Sequence, residues 1–158
     1  MTEIVERPRL SLRQRIDAYE RLTRLDKPIG TLLLLWPTLS ALWLASGGTP
    51  RIAHVLVFLL GTLLIRSAGC AFNDWADRDF DAHVARTASR PLAANVVAPW
   101  EALVVGGVLA LVAFGFVLTT NRATILWSFP ALGITIAYPF FKRFFALPQA
   151  FLDRKSVV

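Results

Sequence analysis

Four long apolar stretches, separated by nearly all of the chain's charge, restrict what this sequence can fold into. Ile29–Ser46, Ile52–Phe72, Ala102–Thr120 and Ala123–Phe141 run for 18, 21, 19 and 19 residues, and only the second holds a basic side chain, with His54 and Arg66. At a helical rise of about 1.5 Å per residue, each covers a hydrocarbon core of roughly 30 Å. In lipid every backbone N–H and C=O must be satisfied within the protein, which leaves the helix as the solution for segments of this length. The pattern predicts an all-α, polytopic membrane helix bundle with about four transmembrane helices. Charged residues make up 18% of the 158, against about a quarter in soluble domains.

Residues 1–28 are different in kind. They carry seven basic side chains, and Leu12, Ile16, Tyr19, Leu22 and Leu25 recur at three and four residues, the helical period. This predicts an amphipathic helix on the membrane surface, ended or turned by Pro28. The segment is too polar for a secretory signal. The net charge of +6 lies on the flanks of the apolar stretches, so it speaks for topology and lipid headgroups and against nucleic acid. Fourteen Lys/Arg fall on the side of the N-terminus and only Arg51 and Arg122 on the other, with Arg66 inside a span. By the positive-inside rule the N-terminus and the 73–101 loop are cytoplasmic. The short links at 47–51 and 121–122 predict antiparallel hairpins. Gly106, Gly107, Gly115 and Gly133 are candidates for close helix approach. The single cysteine, Cys70, excludes an internal disulfide and a cysteine-based zinc site.

The chemistry concentrates where the second span ends, in Asn73-Asp74-Trp75-Ala76-Asp77-Arg78-Asp79-Phe80-Asp81. If the helix continues, Asn73, Asp77 and Asp81 fall at i, i+4 and i+8 on one face. Asp74 flanks that stripe and Asp79 points elsewhere. Carboxylates this close repel unless a cation neutralises them. Oxygen donors without a well-placed His or Cys favour Mg²⁺. Mg²⁺ takes one or two carboxylates and completes its shell with water and phosphate oxygens, which points to a phosphorylated substrate. Arg66, seven residues before Asn73, costs at least roughly 2.5 kcal/mol in an apolar span. It is read as an anion contact or as the partner of an aspartate. Arg86, Arg90, Lys142 and Arg143 add cations on the same side of the membrane, and Tyr138 lies four residues before Lys142.

The stretch Asn73–Asp81 reads N-D-x-x-D-x-x-x-D and resembles the first aspartate-rich motif of the UbiA-type intramembrane prenyltransferases. Asp26–Thr31 with Leu32–Pro37, Arg66–Cys70, His83–Leu92, Tyr138–Arg143 and Leu147–Gln149 resemble the 4-hydroxybenzoate polyprenyltransferase branch of that family. The resemblance implies transfer of a polyprenyl group from its diphosphate to the ring of 4-hydroxybenzoate in ubiquinone biosynthesis, in a bacterial inner membrane. It implies Mg²⁺ held by Asn73, Asp77 and Asp81 with Asp74 beside them. Asp77, Asp81 and Arg143 take catalytic roles, and Arg66, Lys142, Arg143 and Tyr138 hold the diphosphate or the aromatic carboxylate. Metal and cations would draw charge from the leaving diphosphate, so that the allylic C–O bond ionises and the electron-rich ring attacks.

Family members carry further spans and a second aspartate-rich motif, whereas here Asp153 stands alone and the resemblance stops near Ala150–Leu152. The expectation is an N-terminal half: a cytoplasmic segment 1–28, a partial transferase domain 29–152 and a non-matching tail 153–158. Two other readings are open. One is a related transferase with another acceptor, such as homogentisate, a naphthoate or haem. The other is an inactive fragment or a non-enzymatic cation carrier, which would want polar residues deep in several spans.

Overall fold

Ser11 opens the first helix, α1 (Leu12–Thr23), with a capping box: its hydroxyl accepts from the Gln14 amide while the Gln14 side chain accepts from the Ser11 N–H. Arg24 closes it in the left-handed conformation at φ 55°. The Leu25 N–H reaches back to the Glu20 carbonyl, the six-to-one bond of a helix stop. Four more helices follow in this computed structural model: α2 (Ile29–Ala45), α3 (Ile52–Asp81), α4 (Pro99–Leu118) and α5 (Arg122–Phe144). The structure describes residues 10–85 and 87–144, with residue 80 and residues 138–144 by backbone alone. Among the described residues it is all-helical. The expectations for Arg86, for residues 147–149 and for the tail at 153–158 lie outside them, as do the side chains of Tyr138, Lys142 and Arg143.

Two helices, α3 over Ile52–Asp79 and α4, are long and apolar enough to cross a membrane. The other two expected spans are apolar but shorter, α2 at Ile29–Ala45 and the Arg122–Ala137 stretch of α5. Helix α3 is the axis of the fold, since every other helix packs on it. Its 30 residues make a rod of about 45 Å, well beyond the hydrocarbon core. Phe72 therefore ends the apolar run but not the helix, and the Asn/Asp cluster rides on the helical extension.

Small residues bring α3 and α4 together. Ala68, Ala71, Ala102 and Gly106 are buried, and a Cβ on Gly106 would stand 3.2 Å from the Phe72 ring and 3.4 Å from the Ala68 carbonyl. Of the four glycines expected at helix contacts, only Gly106 is at one; Gly107, Gly115 and Gly133 face open space among the described residues.

The surface helix predicted near the N-terminus forms, but its apolar stripe divides. Leu22 and Ala18 are buried and Tyr19 packs beside them, in a core shared with Ala71, Leu92, Val97 and Ala102. Leu12 and Ile16 stay exposed. The Tyr19 hydroxyl donates to Glu101 Oε2 at 2.7 Å, which fastens α1 to the first turn of α4. That carboxylate, followed by burial, raises the Tyr19 pKa above its usual 10.0.

Candidate functional site

The continuation of α3 brings Asn73, Asp77 and Asp81 onto one helix face. Asn73 and Asp77 are half-buried, Asp81 is buried, and Asp79 is exposed, as their spacing predicts. Asp79 contacts the neighbouring Arg78 at 3.6 Å.

Asp74 is the most enclosed carboxylate of the cluster. It is 1% exposed, and its Oδ1 accepts from Arg24 Nη2 at 2.9 Å and Arg90 Nη1 at 3.2 Å. The same Arg90 nitrogen donates to Asp81 Oδ2 at 2.6 Å. Two guanidiniums and two carboxylates thus join the α1–α2 corner, α3 and the α3–α4 loop. Burial works against the charge of Arg24, but Asp74 beside it more than compensates, so the guanidinium stays above its ordinary range. A buried charge is retained when paired and hydrogen-bonded in this way. Asp74, expected among the metal donors, faces two guanidiniums, and Asp81 shares one of them. Among the described residues no three His, Cys, Asp or Glu side chains gather closely enough to hold an ion by themselves.

Beside the stripe lies a cavity of about 530 Å³ lined by Arg24, Arg66, Asn73, Cys70 and Gly69 and closed by Leu34, Ile65, Ile134 and Thr135. Arg66 makes no ion pair among the described residues. Its Nη1 donates to the Cys70 thiol at 2.7 Å, and its guanidinium lies so close over Gly30 that a Cβ there would collide with it. Gly30 leaves room for the guanidinium, whose flexible end a methyl group there would push aside. A second cavity of about 460 Å³, with walls almost entirely apolar, adjoins the first through Ile65 and Thr135. It lies between α3, α4 and α5.

Helix α5 reaches the polar cavity at Ile134 and Thr135 and continues by backbone through Tyr138, Lys142 and Arg143. The sequence reading passed over Arg24 as one basic residue among seven. The available signal was its place just before Pro28, where the chain must turn.

Apolar helices around a cavity faced by guanidiniums fit a helical membrane protein. The model of the UbiA prenyltransferase family matches residues 34–152, and the chain belongs to that family. It is 62% identical over 138 residues to a 4-hydroxybenzoate octaprenyltransferase of Ralstonia nicotianae, covering 87% of this chain and 47% of the relative. A protein of the same name from Cupriavidus necator is 60% identical over 139 residues (88% and 49%), and one from Paracidovorax citrulli 63% over 138 (87% and 47%). The chain spans about half the length of the curated relatives it matches. No solved structure matches it.

Proposed function

We propose that this chain supplies a diphosphate-binding site for Mg²⁺-dependent transfer of a polyprenyl group to the ring of 4-hydroxybenzoate, in a bacterial inner membrane with the N-terminus cytoplasmic. One observation carries the reading: an Asn/Asp stripe on a continuous helix meets, at Asn73, a cavity lined by Arg24 and by Arg66, and Arg66 has no carboxylate partner among the described residues. The names of the relatives supply the reaction.

The donors fit the ion. Asn73, Asp77 and Asp81 offer oxygens alone, and Mg²⁺ prefers few carboxylates completed by phosphate oxygens to an all-protein cage. These three would hold it, with Asp74 reassigned to aiming Arg24 and Arg90. When bound, the ion would draw electron density from the diphosphate and so weaken the allylic C–O bond. Arg66 and Arg24 bind anionic oxygens, with Lys142 and Arg143 following from α5. Tyr138 stands on the same helix within a turn of the cavity wall. The apolar cavity beyond Ile65 and Thr135 takes the first isoprene units and excludes water from the breaking bond. The 4-hydroxybenzoate carboxylate is left to whichever guanidinium the diphosphate does not engage.

The test uses the full chain in lipid nanodiscs with a radiolabelled polyprenyl diphosphate. Retention of label should require Mg²⁺ and fall at least about tenfold in Asp77→Ala, the loss of one charge-assisted ligand. Label held equally well in EDTA would sink the reading. Transfer to 4-hydroxybenzoate is scored in the same samples.

A further inference from the structure

Arg90 lies in the α3–α4 loop, outside the aspartate-rich stretch, yet it makes the shortest ion pair among the described residues, 2.6 Å from Nη1 to Asp81 Oδ2. The side chains are 25% and 13% exposed, and the same nitrogen reaches Asp74, 2% exposed, at 3.2 Å. The loop has anchors besides this pair. Leu92 and Val97 are buried in the core, and the Thr87 hydroxyl donates to the Asp81 main-chain carbonyl at 3.0 Å. Arg90 is therefore held against Asp81 from outside α3.

The charges have a consequence. Arg24 and Arg90 stand opposite Asp74 and Asp81, so each of these two carboxylates already has a guanidinium on it. A bare divalent cation brought to Asp81 would meet a guanidinium on the same carboxylate, and like charges at such range repel strongly where water is scarce. A diphosphate changes this, because its oxygens offer Arg90 acceptors at least as good as the one it leaves. Asp81 is then released to the metal. We propose that Arg90 is a positioning residue, a resident counter-cation on Asp81 that couples metal binding on the stripe to the arrival of a diphosphate. The inference rests on reading the stripe as a metal–diphosphate site. Coupling of this kind is reciprocal, so the metal also tightens the diphosphate.

Mn²⁺ serves as the probe, bound to the full chain in phosphatidylcholine nanodiscs and counted by the electron-spin signal of the free ion, with and without inorganic pyrophosphate. Arg90→Gln should bind Mn²⁺ alone about tenfold tighter than the wild type, a difference of ~1.4 kcal/mol. It should also lose most of the gain that pyrophosphate confers. Arg90→Lys, which keeps the charge, should restore the weak binding of bare Mn²⁺. A merely structural residue would lower affinity in both variants. Equal or weaker Mn²⁺ binding by folded Arg90→Gln overturns the proposal. Should that variant fail to fold, arginine-labelled wild type decides by NMR. The guanidinium signal absent from Arg90→Lys should move with Mg²⁺ plus pyrophosphate and stay still with Mg²⁺ alone, and movement with Mg²⁺ alone overturns the role. Failure of the wild type to bind Mn²⁺ even with pyrophosphate overturns the reading beneath it instead.

Discussion

Replacing Asp74 with alanine would remove the hub of the ion network while leaving its two cations in place. Asp74 is 1% exposed and accepts from both Arg24 and Arg90. Breaking a buried ion pair by deleting one partner costs about 3–5 kcal/mol, because the other charge is left uncompensated. Here the guanidiniums are 30% and 25% exposed, so water recovers part of their solvation, and Arg90 keeps Asp81. The expected loss falls to about 2–3 kcal/mol. In a chain of this size each kcal/mol moves Tm by about 2–4 °C, which gives a drop of roughly 5–10 °C. Asp74→Asn keeps the shape and one acceptor oxygen, and its loss should be about half as large. Trp75 packs against the core beside Asp74, so fluorescence on heating in nanodiscs follows the relevant region when both proteins keep Trp75 as the one tryptophan of the five. A Tm within about 2 °C of wild type for Asp74→Ala would refute the reasoning, since the network would then contribute nothing.

Three further outcomes follow from the same geometry. Gly30→Ala puts a methyl group where the Arg66 guanidinium lies. It should weaken pyrophosphate binding several-fold, measured by calorimetry, while circular dichroism still reports a folded helical protein. The Tyr19 hydroxyl, bonded to Glu101, has its pKa raised. The bond's contribution to stability is therefore complete below about pH 10 and is lost as pH rises through the folded-state value. Absorbance titration of the two tyrosines should show one ionising late, and Tyr19→Phe should flatten the alkaline fall in Tm. Finally, Gly106→Leu should overpack the α3–α4 seam against Phe72, at about 1–3 kcal/mol, whereas Gly107→Leu, facing open space, should leave Tm within about 1 °C.

The helices were legible because lipid removes ambiguity: an uncharged run of eighteen or so residues has little choice but to coil. The i, i+4, i+8 spacing of Asn73, Asp77 and Asp81 was legible for the same local reason. Asp74 was not. Its partners stand 50 and 16 residues away, and nothing in the spacing of one helix says which cation a turn elsewhere will deliver. Nor did the amphipathic stripe of α1 tell which of its apolar residues would dock. Leu22 enters the core and Ile16 does not, because the core is built from the C-terminal half of α3, the first turn of α4 and the loop between them. The expected end of the second span at Phe72 followed hydropathy, whereas the helix follows hydrogen bonding and runs on to Asp81.

The left-handed backbone at Arg24 places two requirements on one residue that no single substitution can meet. A side-chain-bearing residue in that conformation costs about 1–2 kcal/mol relative to glycine, and the guanidinium it carries is what reaches Asp74 and the cavity. Glycine at position 24 would relax the turn and empty the chamber of a cation; alanine would keep the strain and lose the charge as well. The relief glycine brings is smaller than the about 3–5 kcal/mol at stake when a buried ion pair loses one partner, and Asp74 would be left to share Arg90 with Asp81. Laboratory selection for thermal stability should therefore keep arginine at position 24 in spite of its strained backbone.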